Sequence, residues 1–393
     1  MEGVNVLTIN VGSSSLKCSL IETADDHTHA SSHTDWASEP TRYTFTSTES
    51  PAVLSEVGWS DVKPAIGRVA ADLRVNTNEE IAAVAHRVVH GGTRFTQPVL
   101  VTAEVEDALH ELTPLAPLHN PSCLEGIVAA REVFPNLPHV AVFDTAYHST
   151  LAPEAYTYAI PQAWSDEWGL RRFGFHGLSH AYCSQRAAQI LDRPSLGLRV
   201  VIAHLGHGAS LAAIRDGKSI DTTMGFTPLE GLMMATRSGS VDPGLLCHLL
   251  RENRFSANQL DHALNRESGL IGVSGVSSDM RTVLQAAEAG NERAKLAIAI
   301  YVHRLRQGIG AMAATLGGLE ALIFTGGVGQ HSATIRAAAC ARLAFLGLEL
   351  DPIANAAVTS DMDVSTTGTK GRILVIESNE ELMLARECER VFN

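Results

Sequence analysis

The chain predicts an α/β protein in two domains, and three observations predict it. Its 393 residues exceed one ordinary domain and suit two of moderate size. Apolar runs of strand length alternate with helix-like stretches along most of the sequence. One pattern also occurs twice. "VLTINVGSSSLKCSLI", from Val6, is answered by "VVIAHLGHGASLAAIRDG", Val200 to Gly217. Each is an apolar strand, a Gly/Ser turn and a second apolar strand, which predicts a duplicated core.

The elements follow in order. The first hairpin opens the chain. From Thr23 to about Asn78 the sequence is rich in Ser, Thr, His and acids with weak periodicity, and reads as strand and loop of low interest. "IAAVAHRVVHGG" and "HVAVFDTAYH" are apolar runs ending in polar residues, as buried strands feeding active-site loops read. "EVEDALHELTPLA" is helical before its prolines. From Ala294, "AKLAIAIYVHRLRQGIGAMAATLGG" is a long helix stopped by a Gly pair. "ALIFTGGVGQ" is strand into Gly-rich loop, and "RILVIES" is a late strand.

Bulk properties narrow the chemistry. Hydrophobic content of 45% and a mean hydropathy of +0.06 describe a globular, water-soluble chain. No apolar run approaches the roughly 18 residues of a membrane span, and no signal peptide is visible. Six scattered cysteines without a CxxC pair fit reduced thiols in the cytoplasm. Thirty basic against 43 acidic residues give a charge of −13, which opposes nucleic acid and anionic lipid. An anionic substrate must therefore be held by a few placed Arg, Lys, metal or backbone N–H groups.

Several stretches supply such groups. Around Asn10, Gly12, Ser13, Ser14, Ser15 and Lys17, turn N–H groups and hydroxyls can bond phosphate oxygens; a hairpin with a solvated Lys is the plain alternative. The glycine that should precede Lys17 in a Walker A loop is missing. Two such hairpins in two halves suggest a nucleotide between them. Arg87 ends an apolar run beside two glycines and Arg237 sits in a glycine-flanked loop; planar donor forks of this kind suit carboxylate and phosphate, or buried ion pairs. His176 and His180 lack the Glu of an HExxH metal site, so a His that donates to a phosphoryl oxygen is the better reading. Asp144, Glu380 and Asn10 can hold Mg²⁺ through oxygen, or cap turns and helices.

Taken together the stretches resemble the acetokinase family, the acetate, propionate and butyrate kinases. "NVGSSSLK", "HRVVHGG", "LAPLHNP", "VAVFDTAYH", "FGFHGLSH", "HLGHGAS", "MGFTPLEGLMMATRSG", "FTGGVGQ" and "NEELMLAR" stand in the family's order over nearly the whole chain. The resemblance implies the two-domain fold of actin, sugar kinases and heat-shock-chaperone ATPases, with an interdomain active-site cleft, usually as a homodimer. Residues 1–147 form the first domain, completed by a C-terminal helix 382–393; residues 148–381 bind nucleotide and dimerise. It implies reversible transfer of the ATP γ-phosphoryl group to acetate with Mg²⁺, for which Mn²⁺ can substitute. Asn10 and Glu380 match the metal site, Lys17 with the Ser13–Ser15 turn the ATP phosphates, and Arg87 the acetate-binding arginine. Asp144 matches the catalytic acid, and His176 and Arg237 the transition-state stabilisers. His204, Leu205, Gly206, His207 and Gly208, then Asp279, Met280 and Arg281, then Gly327, Val328, Gly329, Gln330 and His331 match the nucleotide segments. Val89, Leu118, Phe175 and Pro228 match the pocket for the acid's methyl group. His119 and His180 read as shaping the site.

The chain also departs from the family pattern. His207 and His331 replace Asn, Gln330 replaces Glu, Ser240 replaces Asp and Ala235 replaces Gly. Anion-contacting residues are kept while adenosine-side residues drift, so the expectation is intact phosphoryl chemistry with altered donor preference or nucleotide affinity. A propionate or butyrate kinase, a donor such as pyrophosphate, and a degenerate nucleotide-binding sensor are the alternatives.

Overall fold

The computed structural model describes residues 3–12, 15–59 and 61–392. The chain divides into two compact units, Met1–Tyr147 with Asn379–Asn393, and His148–Ser378. Each is built on one mixed sheet.

In the first unit β1 (Asn5–Val11) and β2 (Ser15–Glu22) form the opening hairpin, with Asn10 opposite Lys17. Beyond β2 lie β3 (Thr28–Asp35), β4 (Thr41–Ser47) and β5 (Val53–Val57), all antiparallel. On the other side of β1 come β6 (Ala83–Val88), then β8 (His139–Phe143) past the two-residue edge strand β7 (Val99–Leu100) of the sequence, giving the order β5-β4-β3-β2-β1-β6-β8-β7. β6 runs parallel to β1, and β8 to β6. Every residue of β8 is buried, as strands covered on both faces are.

The stretch Thr23–Asn78 corrects the expectation of strand and loop of low interest. It contributes three strands and a helix, Val62–Asn76, capped by Asp61 accepting from the Lys63 N–H at 3.2 Å. The strand "THASSHTD" buries only alternate positions, so its polar residues face outward and hide the strand from a hydrophobic reading. Ile66, Val69, Ala70 and Leu73 of the helix pack with Leu7, Ile9 and Leu16 in the core of this unit. The C-terminal helix Glu380–Glu389 packs on β1 and β6.

The second unit repeats the plan. β9 (Arg199–Leu205), β10 (Ala209–Arg215) and β11 (Lys218–Thr222) are antiparallel; β12 (Ala321–Thr325) and β14 (Arg372–Val375) run parallel to β9, and the short β13 (Met362–Asp363) closes the edge. Its order, β11-β10-β9-β12-β14-β13, matches β3-β2-β1-β6-β8-β7 strand for strand. The paired hairpins of the sequence are thus the visible part of a duplicated sheet. The helix Glu292–Leu316 starts at Asn291, which accepts from the Ala294 N–H, and stops at Gly317 with φ +69°. After β12 the expected Gly-rich loop is instead a short helix, Gly326–His331. Gly326 (φ +74°) allows this turn: a Cβ there would lie 2.9 Å from the Leu205 carbonyl carbon.

Among the described residues no helix is long and apolar enough to cross a membrane. The six cysteines are free thiols.

Candidate active site

Four expected residues meet in the first unit. β1 supplies Asn10, β6 supplies Arg87, the residue after β8 is Asp144, and Glu380 opens the C-terminal helix. The three parallel strands thus present Asn10, Arg87 and Asp144 at their carboxyl ends, where α/β sheets hold ligands. Arg87 Nε and Nη2 donate to Asp144 Oδ1 and Oδ2 at 3.0 and 2.5 Å, and Nη1 donates to Asn10 Oδ1 at 3.1 Å. A guanidinium has five N–H donors, so two stay open to a substrate. Asp144 is 1% exposed and both its oxygens are engaged. Burial pushes the Glu380 carboxyl up to about 7; Arg87 and Lys17 oppose the rise and Asp144 and Glu381 add to it.

The other expected residues of this unit stand apart from that cluster or at its margin. Lys17 is exposed on β2, and the Ser15 carbonyl closes the turn by accepting from the Gly12 N–H at 2.8 Å. Ser13 lies outside the described residues. Val89 is buried, whereas Leu118 is 44% exposed. His119 precedes the helix Asn120–Val133.

The second unit gathers His176 and Arg237 at the turn between β9 and β10. A Cβ on Gly208 would lie 3.2 Å from His176 Nε2 and 3.4 Å from Arg237 Nη1. His176 itself has φ +59°, a left-handed conformation that costs a non-glycine residue about 1 to 3 kcal/mol, and it turns the chain into the helix Gly177–Ile190. Its ring stacks on His204 with centroids 4.3 Å apart. Arg237 donates to the Pro228 carbonyl at 3.5 Å and to the Met234 sulfur at 3.9 Å, and no carboxylate among the described residues pairs with it. Burial, with Arg266 nearby, holds its pKa below the usual guanidinium value.

Next to this turn is a cavity of about 850 Å³, a size that suits a nucleotide. It brings together parts of all three segments: Gly206 and His207; Asp279, Met280 and Arg281; Gly327, Val328 and His331. Ala235, Leu270, Leu284, Tyr301 and residues 332–334 complete its wall. His204, Leu205, Gly208, Gly329 and Gln330 do not line it. Leu205 and Gly329 are buried in the fold behind, and the Gln330 carbonyl is taken by Arg336. Asp279 has a structural task as well, capping the helix Met280–Glu288 by accepting from the Arg281 N–H at 2.8 Å and pairing with the Arg281 side chain at 2.5 Å. Phe175 is buried and Pro228 half-buried.

Of the departures, His207, Ala235 and His331 face the cavity. Burial, then Arg237 and Arg266, lowers the His207 pKa. Ser240 Oγ accepts from the Gly231 N–H at 3.0 Å. The sequence reading missed Arg336, which is 1% exposed and donates to the Gly329 and Gln330 carbonyls at 2.8 and 2.6 Å and to Asn355 Oδ1 and O at 2.7 Å. It fixes the end of the short helix that borders the cavity. Its signal was available: a lone Arg among small residues in "ATIRAAAC".

The chain is similar to known proteins over nearly its whole length. The sequence model of the acetokinase family matches residues 5–386. An acetate kinase of Synechococcus sp. (strain JA-2-3B'a(2-13)) is 48% identical over 406 aligned positions, covering 99% of each chain. The crystal structure of Porphyromonas gingivalis acetate kinase superposes with a TM-score of 0.91 at 39% identity, over 99% of this chain and 100% of that one. A propionate kinase of Francisella tularensis gives 0.91 at 38%, over 98% of each. This chain belongs to the acetokinase family.

Proposed function

We propose that the protein is an acetate kinase, transferring the γ-phosphoryl group of ATP directly to acetate to give acetyl phosphate and ADP, reversibly. The observation that carries the reading is Arg237. It is a largely buried cation without a carboxylate partner among the described residues, converging with His176 on the turn whose Gly206 and His207 line the nucleotide-sized cavity. A site of that make-up suits a phosphate chain.

The chemistry needs no general base. A simple carboxylic acid has a pKa of about 4 to 5, so acetate arrives ionised. One carboxylate oxygen bonds to Pγ as the bond from Pγ to the bridging oxygen breaks, and that oxygen leaves on ADP. The task is to overcome repulsion between two anions and to stabilise charge on the transferred group. Arg87 holds the carboxylate with its two open donors. Asp144, with both oxygens on Arg87, orients that fork rather than abstracting a proton. His176 and Arg237 donate to the phosphoryl oxygens.

Asn10 and Glu380 suit Mg²⁺, or Mn²⁺ in its place. Both are oxygen donors beside Arg87, and Glu380 is a carboxyl whose burial leaves it short of positive charge. Among the described residues no cluster of three or more His, Cys, Asp or Glu could hold a metal. Two protein oxygens with water and phosphate completing the shell fit Mg²⁺ better than Zn²⁺ or Ca²⁺. Such an ion supplies positive charge to the phosphate oxygens. The reading also includes a cytoplasmic location and a homodimer, the latter tested by light scattering on the purified protein.

Hydroxylamine trapping of acetyl phosphate, run across ATP, GTP and pyrophosphate against acetate, propionate and butyrate, tests the whole proposal. Hydroxamate forms with ATP and acetate; none with any donor would leave a nucleotide-binding sensor. Because a propionate kinase superposes as well as an acetate kinase does, propionate is the second reading. One methylene is worth only about 1 to 3 kcal/mol in an apolar pocket. The buried Val89 favours the smaller acid. kcat/KM therefore falls from acetate to propionate to butyrate, and the reverse order would transfer the assignment.

A further inference from the structure

Behind His176, in the second unit, lies a buried cluster of imidazoles and hydroxyls that the reaction as described does not use. His180 is fully buried on the helix Gly177–Ile190, and Ser210 is fully buried on β10. Ser210 Oγ is 2.8 Å from His180 Nε2 and 3.0 Å from His176 Nδ1. One hydroxyl therefore bridges two rings.

We propose that this bridge is a proton-orienting relay: His180 Nε2–H donates to Ser210, Ser210 O–H donates to His176 Nδ1, and His176 is thereby fixed as the tautomer carrying its proton on Nε2.

The direction follows from what each atom can do. A hydroxyl has one proton, so Ser210 can donate to only one of the two rings and must accept from the other. His180 Nδ1 is buried with no hydrogen-bond partner. If His180 carried its proton there, a buried N–H would be orphaned, which proteins tolerate less well than an unused lone pair. Its proton therefore sits on Nε2, facing Ser210. Burial, with His148 and His204 adding to it, drives the His180 pKa well below the usual value, so the ring is neutral and carries one proton only. Ser210 then has its proton left for His176 Nδ1, and were His176 to donate as well, this fully buried hydroxyl would have no acceptor among the described residues. The remaining ring nitrogen of His176, Nε2, is the one aimed at Gly208 beside Arg237.

A neighbouring set repeats the pattern. Ser378 Oγ donates to Ser179 Oγ at 3.1 Å, and Ser179 Oγ lies 2.8 Å from His204 Nδ1. Ser179 is fully buried and has no other acceptor among the described residues, so its own proton goes to His204. His148 Nε2 donates to the Phe175 carbonyl at 3.0 Å, which leaves its Nδ1 to accept from Ser219 at 2.7 Å. In each case a serine sets the ring by donating to Nδ1.

The relay deepens the proposed function, since it rests on His176 donating to the phosphoryl group. A donor must present N–H, and a histidine with its proton on Nδ1 would turn a lone pair toward the incoming oxygens instead. Ser210 and His180 are positioning residues.

The test reads tautomer and turnover separately. Long-range ¹H–¹⁵N correlation on protein labelled at histidine distinguishes the two neutral forms. His176 and His180 are expected as Nε2–H forms in the native protein, and Ser210→Ala releases His176 to a mixture. The same variant lowers kcat by roughly 10- to 100-fold with KM for both substrates little changed, as removal of an orienting partner does. His180→Gln places an amide N–H where Nε2–H stood and retains most of kcat, whereas His180→Asn, equally polar but short of that position, does not. A native His176 protonated on Nδ1, or an unchanged tautomer in Ser210→Ala, overturns the relay. A released tautomer with unchanged kcat would leave the relay standing and remove His176 from the phosphoryl group.

Discussion

Arg87 and Arg237 stand in units whose sheets share one strand order, yet their surroundings are opposite. Arg87 is gripped by a buried carboxylate on one side and an amide oxygen on another, which leaves a rigid fork with two open donors. Among the described residues Arg237 has no carboxylate partner and reaches a carbonyl and a thioether at long range. The difference matches the two anions of the proposed reaction. A monocarboxylate must be oriented, and a pre-set fork provides that at little ordering cost. A polyphosphate brings its own negative charge, and a protein carboxylate beside Arg237 would compete with it. The first arginine has its desolvation offset in the free protein; the second has it offset only when the phosphate arrives.

The largest expected effect tests the unpaired member. Arg237→Ala should lower kcat by roughly 10³-fold, the scale of losing one transition-state donor. Its melting temperature should not fall, because no buried partner is orphaned. A loss in kcat of less than about tenfold would end the phosphate-side assignment. The clamped member should behave in the other way. Asp144→Asn leaves Arg87 without its counter-charge and should destabilise the first unit by about 3 kcal/mol, read by denaturant unfolding, while raising KM for acetate. If Asp144→Asn were as stable as the native protein, the contrast between the two arginines would fail.

That contrast was only half legible in the sequence. Arg87 and Asp144 each end an apolar run, and parallel strands bring such ends to one edge, so their meeting could be reasoned from residues. The missing partner of Arg237 could not, since an absent carboxylate has no motif. Family resemblance located the cavity, and Gly206, Asp279, Gly327 and their neighbours do line it. The same motifs also carried in Leu205 and Gly329, which serve the fold from behind. Arg336 and Ser210 were passed over because their tasks depend on carbonyls and rings that the chain brings in from elsewhere. The stretch Thr23–Asn78 failed for a plainer reason: its strands expose a polar face, and hydropathy alone does not register alternation built from Ser, Thr and His.

The two units share a liability to acid. Burial lowers the His148 pKa to about 4 and drives His180 well below its usual value, both in the second unit; His86, stacked on His139, is the counterpart in the first. These rings stay neutral in the folded protein while the unfolded chain takes up protons near pH 6.5. The unfolded state therefore binds more protons below that pH, and stability falls as pH drops from 6.5 toward 4. His148 alone accounts for about 3 kcal/mol over that window. Hydrogen exchange at pH 7 and pH 5 should show protection falling around the buried rings of both units, in β6 and β8 of the first and in β9 and β10 of the second. Unchanged protection at pH 5 would mean that these rings do not set the response to acid.

The smallest effect is expected at the cavity proposed for the nucleotide, which is lined by residues read from the sequence as departures from the family pattern. His207 lines the wall and is kept neutral at pH 7 by burial and by the two arginines that face it, Arg237 and Arg266. His207→Asn therefore exchanges one uncharged polar group for another. It should shift KM for ATP by no more than about threefold, under 1 kcal/mol, with kcat unchanged. Because protonation of His207 is resisted, the ratio of variant to native KM should be the same at pH 8 and pH 7. Combining it with His331→Asn, on the same cavity, should add to the shift in KM and move the ranking of ATP against GTP, since both side chains line the cavity proposed for the nucleotide. A large fall in kcat from either histidine would mean that the drifted residues act on the transferred group. The proposed division between a phosphate side that keeps the family's residues and a nucleoside side that departs from them would then have to be redrawn.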